Sequence, residues 1–502
     1  MVKLPLQGIE HMKFLNRLFH LEEKQANIKR EIIAGLLTFV AMCYLLPVVA
    51  SNLASTGMDK QGVFVVTALA TFITTMIMGL VGNLPISLSS GLGINAYLAF
   101  TLSSSFPSWE QRMILMTLSG ILSFTLFLTP VRKFIINVIP MDIKYIIAGA
   151  LGAFLIFVGL KNAGIVSSDA STLVRLGNFA DPGMLIAVFA IFVVIGLMFS
   201  KNNILKTMAI PLGILFAAIA GFIASIIMTS TGAMKVVDGV GIYQFGNLDG
   251  QASTLPIAPW LINNLRFADL APMKNVVFFG LFTDSYSGKD FGNDILTVLS
   301  NPVSYVAIFS IAFLNIFDTT AAYLSTNDHT HILDEEGKIV RYNRTVLADS
   351  IGSLIAGPLG TTTPEPLAES NVGITAGGKT GLTACVTALM FLLSTFIYPV
   401  FSIFTANTVT APAIVGIGIV ILSSSLSSLD FKKFDVLITA IITIVISVLT
   451  YSISNGIGFG LISFCIIKLV QGKYKEVGLP IYIVTGIFIV AFIAEAVVNS
   501  LA

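Results

Sequence analysis

Cysteine, histidine and charge are all scarce in this sequence, and each scarcity removes a class of function. The three cysteines, Cys43, Cys385 and Cys465, lie far apart inside apolar segments, with no C-x-x-C spacing. That leaves no basis for a disulfide framework or a thiolate metal site. The four histidines, His11, His20, His329 and His331, fall in a polar N-terminal stretch or in one polar loop. A histidine proton relay or a His-ligated metal in apolar surroundings is therefore not expected, and no cofactor is implied. The formal net charge is +1, which speaks against a nucleic-acid partner. Only 11% of the 502 residues are charged, beside 55% hydrophobic residues and a mean hydropathy of +0.90. Such a balance excludes a typical soluble globular protein.

What the chain has in abundance is long apolar runs, among them "IIAGLLTFVAMCYLLPVVA", "MLIAVFAIFVVIGLMF" and "VLITAIITIVISVLTY". About fourteen approach the ~18–20 residues that cross a bilayer as a helix, so the chain reads as an all-α polytopic membrane protein. The last run, "IYIVTGIFIVAFIAEAVV", is either a fifteenth crossing or half of a split one. Residues 1–30 mix Lys3, Lys13, Arg17, Lys24, Lys29 and Arg30 with acids and Leu/Phe, without a small-residue cleavage site. They read as a cytosolic amphipathic tail rather than a signal peptide. With that tail in the cytoplasm, alternation puts Arg132, Lys133, Lys144, Lys201, Lys206, Lys338, Arg341, Arg344, Lys432, Lys433, Lys473 and Lys475 on the same side, as the positive-inside rule requires. The opposite side carries a long stretch near Gly232–Asn301, whose "PIAPWLINNLRF" would lie along the interface.

"GITAGGKTG" (Gly373–Gly381) satisfies the Walker A pattern. A true phosphate loop joins a buried strand to a helix of a soluble α/β domain, and no soluble stretch here is large enough for one. ATP binding is not expected. A better account comes from comparing halves. "SGLGINA" (Ser90–Ala96) and "SNVGITA" (Ser370–Ala376) agree in register at a constant offset (373 − 93 = 280), and each follows a proline-containing polar stretch. Matched context in two halves is what a duplicated transporter shows, with short segments broken by Gly and Pro. Two broken segments are expected, near 85–102 and 361–380. Non-helical backbone at membrane depth must face protein or a water-filled cavity, so these segments point to a midplane binding site. Seven crossings per half would make the halves inverted relative to each other.

Ionisable groups in hydrocarbon cost at least ~2.5–3.5 kcal/mol each, so each needs a reason. Asp318 lies in "SIAFLNIFDTTAAYL", Asp349 in "VLADSIGSL", and Glu365 and Glu369 in "TTTPEPLAES". Asn315 and Asp318 are i, i+3 neighbours on one helix face. With Glu369 they would make a polar cluster able to take a proton and hydrogen-bond a neutral polar ring. Asp349 has a plainer reading as a helix-end or salt-bridge residue beside Arg344, and Glu365, between Pro364 and Pro366, one as a water-facing residue at the segment's mouth. Asn95 and Asn371 divide between ligand contact and backbone satisfaction. The glycines of "GIGFG" and "AGALGAF" read as helix-packing surfaces.

"GLGINAYLAF", "FVGLKNAGIV", "FDTT", "ADSIGSLIAGPLGT", "AESNVGITAGGKTGLTA" and "YSISNGIGFGLISF" together resemble the AzgA-like purine permeases of the nucleobase–cation symporter-2 (NCS2) superfamily, from about residue 30 to about 470. The resemblance implies two inverted seven-helix repeats with a UraA-like core and gate. It also implies proton-coupled uptake of hypoxanthine, guanine or adenine across the plasma (inner) membrane. On that pattern residues 31–130 and 302–400 would form the core, 131–230 and 401–502 the gate, and 231–301 an extracytoplasmic loop. The family's "GLNA" asparagine falls on Asn95, its "ES" glutamate on Glu369, and the second acid of "DLFDT-GT" on Asp318. The first acid of that motif is Asn315 here, its Gly-Thr is Ala321-Ala322, and "ESAAG" and "GGR" become "ESNVG" and "GGK". Asn keeps hydrogen-bonding ability but removes a titratable group, so purine preference and coupling are both open to change.

The candidate substrate-binding set is thus Glu369, Asp318, Asn315, Asn95, Gly93, Thr319 and Asn371, with Asp318 and Glu369 also serving proton coupling. Expected partners are a purine nucleobase, protons and the lipid bilayer, with a homodimer left open. An anion transporter of the same general fold, as in the sulfate-permease relatives, would favour half-helix N-termini with few acids. An uncoupled facilitator is made more plausible by Asn315. An intramembrane aspartyl protease has Asp318 and Asp349 in number only, without a G-x-G-D motif.

Overall fold

The computed structural model describes residues 15–103, 105–130, 132, 140–169, 171–202, 205–206, 208–237, 240–256, 291–330 and 342–501. Residues 1–14 of the tail, "PIAPWLINNLRF" beyond Pro256, and Lys133, Lys338 and Arg341 lie outside them. The described chain is mostly helical. Its first helices are α1 (Ile28–Met42), α2 (Leu45–Ala54), α3 (Lys60–Ile77), α4 (Leu92–Ala99), α5 (Trp109–Leu128), α6 (Met141–Asn162), α7 (Pro182–Met198) and α8 (Ala209–Ser230). There follow α9 (Phe291–Ser300), α10 (Pro302–Thr330), α11 (Tyr342–Leu359), α12 (Asn371–Thr375), α13 (Gly381–Ser394), α14 (Asn407–Ser427), α15 (Phe434–Leu449), α16 (Ile453–Val470) and α17 (Leu479–Leu501).

Local chemistry explains where several of these begin and stop. The Asn27 side chain accepts from the N–H groups of Lys29 and Arg30 and caps α1, so the two basic residues open the first helix instead of closing a tail. Pro47 lacks the N–H that would bond the Cys43 carbonyl, and the helix is interrupted at Cys43 and Tyr44. Asp59 caps α3 through the N–H of Gly62. The far end of α3 runs into a π-turn, Met78–Gly82, closed by Asn83 in the left-handed region at φ 50°.

By length and composition, six of the described helical stretches can each cross a membrane, and a seventh joins α9 to α10 across an 88° bend at Asn301. Six more are apolar but shorter. The outward faces carry Phe189, Phe192, Leu128, Ile219 and Ile493, while Thr67, Thr71, Thr74 and Thr75 are buried. Apolar outside and hydroxyl inside is the pattern of a chain solvated by lipid.

The chain is not wholly α. Among the described residues three two-stranded antiparallel pairs occur: β1 (Leu88–Ser90) with β6 (Pro364–Pro366), β2 (Val166–Asp169) with β3 (Leu173–Leu176), and β4 (Met234–Val237) with β5 (Val240–Tyr243). The last two are hairpins in the links between helices. The first brings the two halves of the chain together, with Ser89 opposite Glu365. Both expected broken segments are thus strand-then-helix units, β1–α4 and β6–α12. Beyond the strands the ladder continues, Gly91 N–H donating to the Thr363 carbonyl at 3.2 Å and Leu367 N–H to that of Ser87 at 3.2 Å. Hydroxyls from α3 finish it: Thr75 Oγ1 bonds both the N–H and the carbonyl of Leu88 at 2.9 Å, and Thr71 meets Ser89 at 2.9 Å. Gly91 lets the Glu365 carboxylate lie close over the strand end: a Cβ there would stand 2.1 Å from it, and the carboxylate would have to move.

The helices pack in two groups. In one, α13 lies on α1 and α3, α11 on α5 and α3, and α10 on α5, β6 and α4; in the other, α6 lies on α14 and α15, and α8 on α7 and α14. Helices α6 and α14 meet backbone to backbone. A Cβ on Gly152 would sit 2.5 Å from Leu422 N and 2.8 Å from the Gly418 carbonyl, so nothing larger than hydrogen fits. Gly152→Ala is expected to cost about 1–3 kcal/mol through overpacking, read as a lower thermal midpoint of the purified protein. Gly196→Ala, where nothing lies within 4 Å, should leave the midpoint unchanged or slightly raised. Equal midpoints for the two variants would refute this account of the contact.

Candidate functional site

The strand crossing and α10 gather polar atoms that have no protein partner. Asn95, on α4, is fully buried; its Oδ1 accepts from Asn52 Nδ2 at 2.7 Å, and its own Nδ2 is unpaired. Asn315, on α10, gives Nδ2 to Ser353 Oγ at 2.9 Å and leaves Oδ1 unpaired. One turn on, Asp318 has an unpaired Oδ2. Glu365, on β6, is 4% exposed with an unpaired Oε2, within electrostatic reach of Asp318, Asp349 and Glu369. Glu369, in the 3₁₀ turn Ala368–Ser370, stays partly exposed, and its Oε1 accepts from the Tyr44 hydroxyl at 2.7 Å. Leaving a buried polar atom unmade costs about 1–3 kcal/mol. One donor on α4 and three acceptors on α10 and β6 are thus left open, groups that a polar ligand would satisfy.

The other candidate residues are placed differently. Thr319 donates to Asp349 Oδ1 at 3.1 Å. Asp349 is ion-paired with Arg132, whose Nη1 also reaches Ser350 Oγ at 2.9 Å. Arg344 is the base near Asp349 in sequence, but the partner is Arg132, which is fully buried. A carboxylate buried on α11 cannot stand alone, and a guanidinium fork can serve it and a neighbouring hydroxyl at once. Gly93 packs against Leu151 of α6, where a Cβ would come within 2.5 Å. Asn371 is partly exposed on α12, and its carbonyl accepts from Thr375. Glu365 is no water-facing residue; the strand pairing turns it inward.

The Walker-like loop does form an anion cradle, and the chain fills it with a carboxylate of its own. Glu31, fully buried on α1, accepts from Lys379 N at 2.9 Å, Thr380 N and Thr383 N at 3.3 Å, and Thr383 Oγ1 at 2.6 Å. Asn83 Oδ1 accepts from Gly381 N at 2.8 Å. These bonds tie the start of α13, just past α12, to α1 and to the end of α3. Sequence reasoning missed Tyr44, Asn52 and Glu31. For Tyr44 a signal was present: Pro47 inside an apolar run marks an interrupted helix.

The family model Xan_ur_permease, described as a permease family, matches residues 29–459. The permease MJ0326 of Methanocaldococcus jannaschii is 33% identical over 96% of this chain and 99% of its own length. The guanine/hypoxanthine permease PbuO of Bacillus subtilis is 32% identical over 95% of this chain and 100% of its own. The adenine permease AdeQ of Escherichia coli is 28% identical over 94% and 95%. Among solved structures, the transmembrane domain of the cyanobacterial bicarbonate transporter BicA superposes with a TM-score of 0.54 at 13% identity, covering 84% of this chain and 97% of that one. SLC26A9 gives 0.56 at 11% identity, covering 93% and 70%. These two likenesses concern the fold.

Removing one partner of a buried ion pair costs about 3–5 kcal/mol. Arg132→Met is therefore expected to lower the yield and thermal midpoint of folded protein sharply, and Arg132→Met/Asp349→Leu to recover most of the loss. A single variant as stable as the parent would show that Asp349 does not depend on this pair.

Proposed function

The chain belongs to the Xan_ur_permease family, and from that premise we propose that this integral membrane protein is a proton-coupled importer of purine nucleobases. The observation that carries the reading is the open polar set at the strand crossing: Asn95 Nδ2 as donor and Asn315 Oδ1, Asp318 Oδ2 and Glu365 Oε2 as acceptors. A purine edge alternates N–H donors with ring-nitrogen or carbonyl acceptors and complements such a set. Relatives named for guanine/hypoxanthine and for adenine support purines as the substrate class. Asp318 and Glu369 would bind the base, and at least one would carry the proton. Coupling then follows if protonation changes the site's affinity for the base.

Residue by residue, Asn95 and Asn315 read as ring-edge contacts. Asn315 gives its NH₂ to Ser353 and turns its oxygen to the open set, so it keeps the acceptor of a carboxylate without the charge. Thr319 acts through Asp349, Gly93 through its contact with α6, and Asn371 lines the second broken segment. The helix group holding α1–α5 and α10–α13 would be the substrate-carrying core, and the group holding α6–α8 and α14–α16 the gate. Motion of one against the other opens the site to each side in turn. In this reading the N-terminus is cytoplasmic and the membrane is the plasma membrane.

The test is uptake of labelled hypoxanthine, guanine, adenine and uracil into purine-transport-deficient cells, with and without a protonophore. Concentrative purine uptake that collapses with the proton gradient is expected. Entry that only equilibrates would leave a facilitator, and no nucleobase uptake by well-inserted protein would overturn the reading. Glu369→Gln removes charge at nearly constant shape and is expected to abolish accumulation at normal expression; near-parental uptake would sink its assignment. Asn315→Asp should shift purine preference or the pH dependence of uptake, and an unchanged profile would place the residue outside the site.

A further inference from the structure

Tyr44 sits where the first span ceases to be helical, and its ring is 4% exposed. Its hydroxyl meets Glu369 Oε1 at 2.7 Å, bridging residues that lie in opposite halves of the chain. Glu369 needs such a hold. It stands in a three-residue 3₁₀ turn between a three-residue strand and a five-residue helix, and a glutamate there has three torsions to settle with little regular backbone around it. A recognition group has to be held to within about 0.5 Å to work. A phenol brings one rigid O–H on only two torsions, and a bond from it to a carboxylate is charge-assisted.

We propose that Tyr44 is a positioning residue for substrate binding: its hydroxyl fixes one oxygen of Glu369 and so orients the carboxylate toward the base. The inference rests on the purine-transport reading. Pro47 is part of the device, because the break it imposes on the helix turns Tyr44 inward. Asn52, eight residues on in α2, holds Asn95 in the same way at 2.7 Å. The first span therefore steadies one residue of each broken segment.

The experiment is purine uptake by the purified full chain in proteoliposomes, comparing the parent, Tyr44→Phe, Glu369→Asp and the double variant. Tyr44→Phe removes only the hydroxyl, and losing one bond to a charged group should raise KM by about tenfold, with the maximal rate per folded transporter changed by less than about twofold. A residue that merely supported the fold would instead lower the maximal rate and leave KM alone. Glu369→Asp draws the carboxylate back out of the phenol's reach, so it should raise KM as well, and Tyr44→Phe should add nothing to it. Unchanged KM in Tyr44→Phe, or full additivity in the double variant, would overturn the proposal while parental uptake left the transport reading standing. Absence of purine uptake by the parent would overturn both.

Discussion

Backbone amides inside a bilayer must find partners within the protein, and this constraint organises the whole molecule. Two three-residue strands far from any sheet would leave most of their N–H and C=O groups bare. They are tolerable only because each is the other's partner and because α3 presents threonine hydroxyls to the remaining edge. The pairing in turn dictates the location of the chemistry. Ser89 opposite Glu365, Asn95 one turn into α4 and Glu369 just beyond β6 are neighbours because the ladder has that register.

Buried polar groups are met by the protein to different degrees here. The carboxylates of Glu31 and Asp349 are met by the protein itself, the first by loop amides and the Thr383 hydroxyl and the second by Arg132 and Thr319. Such networks cost desolvation but fix which elements meet and at what register. Asn95, Asn315, Asp318 and Glu365 each keep an atom open. In the proposed site a ligand would complete the hydrogen bonding of these atoms instead of disturbing it.

The broken segments near 85–102 and 361–380 could be read from the chain because a repeated "SGLGINA"/"SNVGITA" and nearby prolines are local signals. Crossing number was less readable, since several apolar helices are shorter than a bilayer and one pair is bent by 88°. Partner identity was least readable. Arg132 and Asp349 are separated by more than two hundred residues, and Glu31 and Thr383 by more still; no local pattern says which charge meets which. Tyr44 shows the middle case: Pro47 announces a break but not what the phenol will touch. The short β2–β3 and β4–β5 hairpins lie in links that composition alone leaves blank.

The two strand–helix units also differ in length. Gly93 follows Ser90 by three residues and Gly373 follows Pro366 by seven (93 − 90 = 3, 373 − 366 = 7), and the extra residues are those that form the 3₁₀ turn bearing Glu369. The two arms are therefore not equivalent: the first passes from strand almost directly into helix, and the second sets a 3₁₀ turn between its strand and a shorter helix. A movement shared by both arms would then carry a rigid helical lever on one side and a jointed one on the other.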